Sequence, residues 1–156
     1  MIAGLIPLVA SCVSPPLRLA AVGPAPAQGA RSPGPGSLQV FTETREHDDD
    51  GVYYFPHSGY QIYSSEGKRV RYIWNHHTFQ EEDPTVVTLP AGHYLVDAEA
   101  ELCGRVAVPV VIKPGQTTRV VLQPGWKPAA TTSPAELVKS PEGYFIGWRA
   151  DLTRNP

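Results

Sequence analysis

Leu89-Pro90-Ala91-Gly92-His93-Tyr94-Leu95-Val96-Asp97-Ala98-Glu99-Ala100 decides how the rest of the chain is read. Pro90 has no amide to donate and Gly92 accepts backbone angles that other residues avoid, so the chain turns here. Beyond the turn, Tyr94, Val96 and Ala98 alternate with Leu95, Asp97 and Glu99. That period of two is the mark of a strand with one buried face. Before it stands the β-branched run Val86-Val87-Thr88-Leu89, a second strand. Working outward, 105–112 is another β-branched run, Lys113-Pro114-Gly115-Gln116 is a turn, and 117–122 closes the series.

Upstream, the same grammar holds. Residues 38–44 alternate Leu38, Val40 and Thr42 against Gln39, Phe41 and Glu43, and the strands 52–55 and 59–63 are separated by Pro56. Ser64-Ser65-Glu66-Gly67-Lys68 is a hairpin turn, because Gly67 supplies the positive φ such loops require. It leads into 69–74, where Val70, Tyr72 and Trp74 are expected to share the buried face, with Arg69 and Arg71 on the other. Short antiparallel strands at this spacing predict an all-β protein, an antiparallel Ig-like or prealbumin-like β-sandwich, since a single sheet leaves an apolar face wet.

The segment 38–122 resembles the carboxypeptidase-regulatory-like or prealbumin-like modules of bacterial surface proteins and the related PEGA domains. The resemblance is carried by Leu89-Pro90-Ala91-Gly92-His93-Tyr94-Leu95-Val96, by Val108-Pro109-Val110-Val111-Ile112, and by Gly115-Gln116-Thr117-Thr118 with Val120 and Leu122. It implies architecture more than activity: such modules serve as spacers, adhesion elements or carbohydrate-binding-like domains and are usually not catalytic.

The N-terminus reads as an address. Residues 2–10 are an apolar run of signal-peptide length, too short for the roughly 20 residues that span a bilayer. Val9-Ala10-Ser11-Cys12 resembles a bacterial lipobox. The resemblance implies lipidation of Cys12 as the new N-terminus, a lipid bilayer as partner, and a cell-envelope location, with Val13 pointing to the outer membrane, facing the periplasm or the surface. Six prolines and four glycines between Cys12 and Ser37 predict an extended linker. The expected division is therefore 1–12 lipoprotein signal, 13–36 Pro/Gly-rich disordered linker, 37–125 β-sandwich and 126–156 C-terminal extension. In that extension Ser133-Pro134-Ala135-Glu136 predicts a capping box opening a helix of about two turns before Pro141, followed by a short strand at 144–149.

Composition sets further bounds. Of 156 residues 42% are hydrophobic and 18% charged, ordinary for a globular domain, and the net charge of -2 offers nucleic acid no attraction. Roughly 120 residues follow the linker, enough for one core. Of the two cysteines, Cys12 and Cys103, the first is taken by lipid, so no disulfide is expected and Cys103 reads as a small packed residue.

Chemistry-bearing residues gather in two polar loops, 46–51 and 75–83. Carboxylates suit calcium, and imidazoles with carboxylates suit zinc, which makes His47, Asp48, Asp50, His76 and Glu82 the candidate metal ligands. Their spacing matches no metal motif, so the ordinary reading is a solvated acidic turn and a polar loop. Tyr54, Tyr63 and Trp74 are the candidate stacking residues for a ligand such as a sugar. No nucleophile elbow, metalloprotease helix or phosphate loop occurs, and no catalytic residue is assigned. The expected function is a non-catalytic binding or spacer module in the envelope, with an envelope protein or polysaccharide as partner and no cofactor required. The alternative is a carbohydrate- or metal-dependent adhesion module using the two loops.

Overall fold

The structure, a computed structural model, describes residues 14–26 and 34–150. It is all-β: two facing sheets enclose the core, and a small hairpin stands beside them. The strands are β1 (Leu17–Arg18), β2 (Val22–Gly23), β3 (Gly36–Phe41), β4 (His47–Asp49), β5 (Val52–Tyr54), β6 (Tyr60–Ser64), β7 (Arg69–Ile73), β8 (Val86–Leu89), β9 (Gly92–Ala100), β10 (Gly104–Ile112), β11 (Thr117–Val121), β12 (Leu137–Lys139) and β13 (Phe145–Arg149). The larger sheet runs β12-β13-β2-β10-β9-β6-β7 with β1 also on β10; the smaller runs β11-β3-β8; β4 and β5 pair alone.

The alternation read from the sequence sets the core. Leu38, Val40 and Thr42 are buried on β3 and its continuation, while Gln39, Phe41 and Glu43 are half-exposed. Val96 and Ala98 of β9 face the same core as Val106, Val108 and Val110 of β10. The hairpin at 64–68 forms as expected, with Gly67 at φ 79°. The Pro90-Ala91 turn does more than reverse the chain: β8 pairs with β3 and β9 with β10 and β6, so the turn carries the chain from one sheet to the other.

Three expectations are corrected. The first concerns the segment 13–36, of which 14–26 and 34–36 are described. Here β1 and β2 pair parallel with β10 along one edge, in the registers Leu17↔Val106 and Val22↔Val110, and Leu19 and Val22 are buried. Two-residue pieces between prolines can donate to a strand edge without forming a long ladder, and an open edge on β10 is what they cover. Signal residues 1–12, Cys12 included, lie outside the described residues.

The second concerns the C-terminus. The capping box at Ser133 closes on a single 3-10 turn, Pro134–Glu136, not on two turns of helix. Leu137 and Val138, both buried, leave that turn as β12, and β13 pairs with β2 through Trp148↔Gly23, so 126–150 completes the larger sheet. Apolar residues at 137 and 138 bury more surface as a strand on β13 than on an isolated helix of two turns.

The third is β7. Val70, Tyr72 and Trp74 are exposed and Ile73 is the residue turned inward, paired with Tyr60. β7 is the outer strand of the wide sheet, beyond the reach of a facing sheet of only three strands, and a register shift at Ile62/Tyr63 changes the alternation near its start.

Candidate functional site

Four segments converge at one end of the sandwich. β3 continues past Phe41 into residues 42–45, which pair with 56–58: Thr44 bridges His57, the Ser58 amide donates to the Glu43 carbonyl at 2.9 Å, and the Arg45 amide to that of Pro56 at 3.1 Å. The β9–β10 turn brings Glu101, whose amide donates to the Leu122 carbonyl at 2.8 Å, next to Gln123 and Pro124 after β11. Loop 75–84 brings Glu82, whose Oε1 accepts from the Phe55 amide at 2.9 Å. Together they frame a cleft of about 410 Å³ walled by Phe41, Phe55 and Pro124, with His57, Glu82 and Glu101 as its ionisable groups.

His57 is the cleft's most constrained side chain, 3% exposed. Its Nδ1 lies 2.7 Å from the Thr42 carbonyl, which only accepts, so Nδ1 carries the proton and Nε2 of the neutral ring is an acceptor. The ring meets Phe41 edge-on, centroids 5.5 Å apart. Among the described residues Nε2 has no hydrogen-bond partner, and His57 is one of the residues lining the cleft. Burial holds the ring below the ordinary histidine pKa, opposed by the Thr42 hydrogen bond and by the Asp83 and Glu82 carboxylates and reinforced by His76. The unfolded chain protonates this ring at about pH 6.5 and the folded chain only at lower pH. Between the two the unfolded state holds more protons, so stability is complete above the unfolded value and falls as the pH drops through that window. The urea midpoint is expected to fall on acidification below about pH 6.5, and His57→Asn, whose amide still reaches Thr42, should flatten that fall; an unchanged profile would show that the ring is not held neutral.

Beneath the cleft lies Asn75, fully buried. Its Nδ2 donates to the Val40 carbonyl at 2.8 Å and to Thr42 Oγ1 at 3.2 Å, and its Oδ1 accepts from the Thr85 amide at 3.1 Å. Thr42 Oγ1 donates in turn to the Ser58 carbonyl at 2.7 Å, and His76 Nδ1 donates to the His57 carbonyl at 2.7 Å. A second support sits behind Glu101: the Tyr144 hydroxyl donates to its carbonyl at 2.9 Å and lies 3.6 Å from Cys103 Sγ, whose thiol donates to the Glu142 carboxylate. Burial and the Glu142 contact push the Cys103 thiol up, so it stays protonated, and its role here is packing.

The two polar loops do meet, at His47 and Phe79. His47 stacks on Phe79 with centroids 4.0 Å apart. Asp48 Oδ1 accepts from the Gly51 amide at 2.7 Å and Asp50 occupies the turn at φ 52°. His76 and Glu82 are engaged as described, and among the described residues no three His, Cys, Asp or Glu side chains gather to hold an ion. Asp48 closes a turn, Glu82 ties the loop to Phe55 and His76 ties it to His57, so the candidates are spread over separate local contacts.

The stacking candidates also stay apart. Tyr54 pairs with His47 on the β4–β5 hairpin, and Tyr63, its hydroxyl donating to Gln61 at 2.8 Å, sits opposite Arg69 at the turn end of β6. Trp74 lies at the other end of β7, 70% exposed and set edge-on to Tyr72. Of the cleft residues the sequence singles out only Glu82 as a ligand; Phe41, His57 and Glu101 carry no spacing signal, since each comes from a different segment. No family model matches the chain, and no curated protein or solved structure matches it.

Proposed function

We propose that the chain is a lipid-anchored, non-catalytic binding module of the bacterial cell envelope, held to the bilayer through acylated Cys12, with the cleft at the loop end as the binding place. The observation that carries the binding half is the cleft itself, about 410 Å³, whose lining brings two carboxylates and the buried His57 together with Phe41 and Phe55. The cleft pairs carboxylates with aromatic walls, and among the described residues its one hydroxyl is Thr44, which has no hydrogen bond to a base, so it suits binding better than acyl transfer. The anchoring half rests on Val9-Ala10-Ser11-Cys12.

The experiment is detergent-phase partitioning with intact mass measurement after expression in a bacterial host. The wild-type chain should enter the detergent phase and begin at an acylated Cys12, because two or three chains at roughly 0.8 kcal/mol per buried methylene hold stably. Cys12→Ser should remain unprocessed and in the aqueous phase. Equal partitioning of the two would remove the anchor.

A second reading, a module for an envelope polysaccharide, is favoured by Trp74. Its indole is 70% exposed and its neighbour Tyr72 stands at 79° to it, which leaves one flat face for a sugar ring.

A further inference from the structure

The cleft has a one-sided charge. Among the described residues its ionisable groups are the carboxylates of Glu82 and Glu101 and the neutral ring of His57, its other polar groups are Thr44 and Gln123, and no lysine or arginine lines it. Asp83 adds to the negative field felt at His57. Glu82 spends one oxygen on the Phe55 amide and keeps the other; the Glu101 carboxylate has no hydrogen bond among the described residues, its backbone alone being tied to Leu122 and Tyr144. The walls are Phe41, Phe55 and Pro124, and Phe41 already receives a cation on one face, the Arg119 guanidinium 5.2 Å from its centroid. Carboxylates with no lysine or arginine among the described lining residues select a positively charged guest that can donate to them. Apolar walls between them select a hydrocarbon stem. The volume of about 410 Å³ is at the small-molecule end of binding clefts.

We infer that the cleft binds a small aliphatic di- or polyamine, with Glu82 and Glu101 receiving its ammonium protons and Phe41, Phe55 and Pro124 flanking its methylene chain. The inference rests on the binding-module reading but not on the anchor, so the partitioning experiment and the one below fail separately. The full chain, purified in a mild detergent, is titrated calorimetrically with 1,5-diaminopentane at low salt, with 1,5-pentanediol and N-acetylglucosamine as uncharged controls. Saturable binding of the diamine alone is expected. Glu82→Gln and Glu101→Gln keep the shape and the hydrogen bonds while removing a charge, and each should weaken binding about tenfold, the loss of one partly exposed charge pair. Melting curves confirm that both variants fold. Diamine binding that ignores both substitutions overturns the inference, as does absence of saturable diamine heat. Preferential binding of the sugar or the diol overturns it too, while leaving a binding module.

Discussion

Val22→Asp is expected to unfold the domain at room temperature. Val22 is fully buried, although it lies in a segment that composition alone marks as a tether. It sits between Val110 of β10 and Arg149 of β13, and its Cγ1 occupies the space over Gly147, lying 2.5 Å from where a Cβ would be. The substitution removes about 1.5–3 kcal/mol of valine burial and leaves a carboxylate without a partner inside the sheet, at a cost of several kcal/mol more. The sum rivals the whole stability of an ordinary domain, about 5–15 kcal/mol. Urea unfolding followed by tryptophan fluorescence decides it: a cooperative transition for the wild type and for Leu17→Asp, whose side chain is half-exposed, and none for Val22→Asp. A Val22→Asp midpoint equal to wild type would return residues 14–26 to the role of a tether.

The reason this strand is not legible in the sequence is local. Two-residue pieces such as Leu17–Arg18 and Val22–Gly23 have no period, and their parallel pairing depends on β10, a partner roughly 90 positions away along the chain. Where one strand carries its own pattern, as at Leu38, Val40 and Thr42 or at Val96 and Ala98, the buried face is readable directly. Turn chemistry is readable as well: Gly67 adopts the positive φ assigned to it, and the Ser133 capping box forms even though its helix stops after one tight turn. The extended path of Leu137 to Lys139 is decided by β13, an offer of pairing that propensity does not see. The cleft is the extreme case. Phe41, His57, Glu82 and Glu101 are ordinary residues until the extension of β3, the β9–β10 turn and loop 75–84 are brought to one end, and no spacing in one dimension encodes that meeting. The metal candidates show the converse: the residue types suit an ion, and the fold gives them separate local partners that no spacing announces, His76 on the His57 carbonyl and Glu82 on the Phe55 amide.

Asn75→Ala carries the other large effect, and it separates support of the site from the site itself. In the sequence Asn75 is the first residue of a polar loop; in the fold it is fully buried and ties three segments together, reaching the Val40 carbonyl, Thr42 Oγ1 and the Thr85 amide. Alanine leaves a buried carbonyl and a buried amide unpaired, each at about 1–3 kcal/mol, so a loss of about 2–5 kcal/mol is expected. Asn75→Asp is the informative companion. Its oxygen still accepts from Thr85, but it cannot donate to Val40 and it brings a charge into a buried site, so it should be no better than alanine. Urea midpoints measure the loss, and hydrogen exchange at the Thr85 amide locates it, since that proton should lose its protection in Asn75→Ala ahead of amides in β9 and β10. Protection at Thr85 equal to wild type would mean the amide has another partner. Thr42 is the link onward: its hydroxyl holds Ser58 and its carbonyl holds His57, so loosening Asn75 frees the imidazole that lines the cleft. A ring no longer tied to Thr42 and no longer buried regains an ordinary histidine pKa, and its acidification profile in Asn75→Ala should approach that of an exposed side chain.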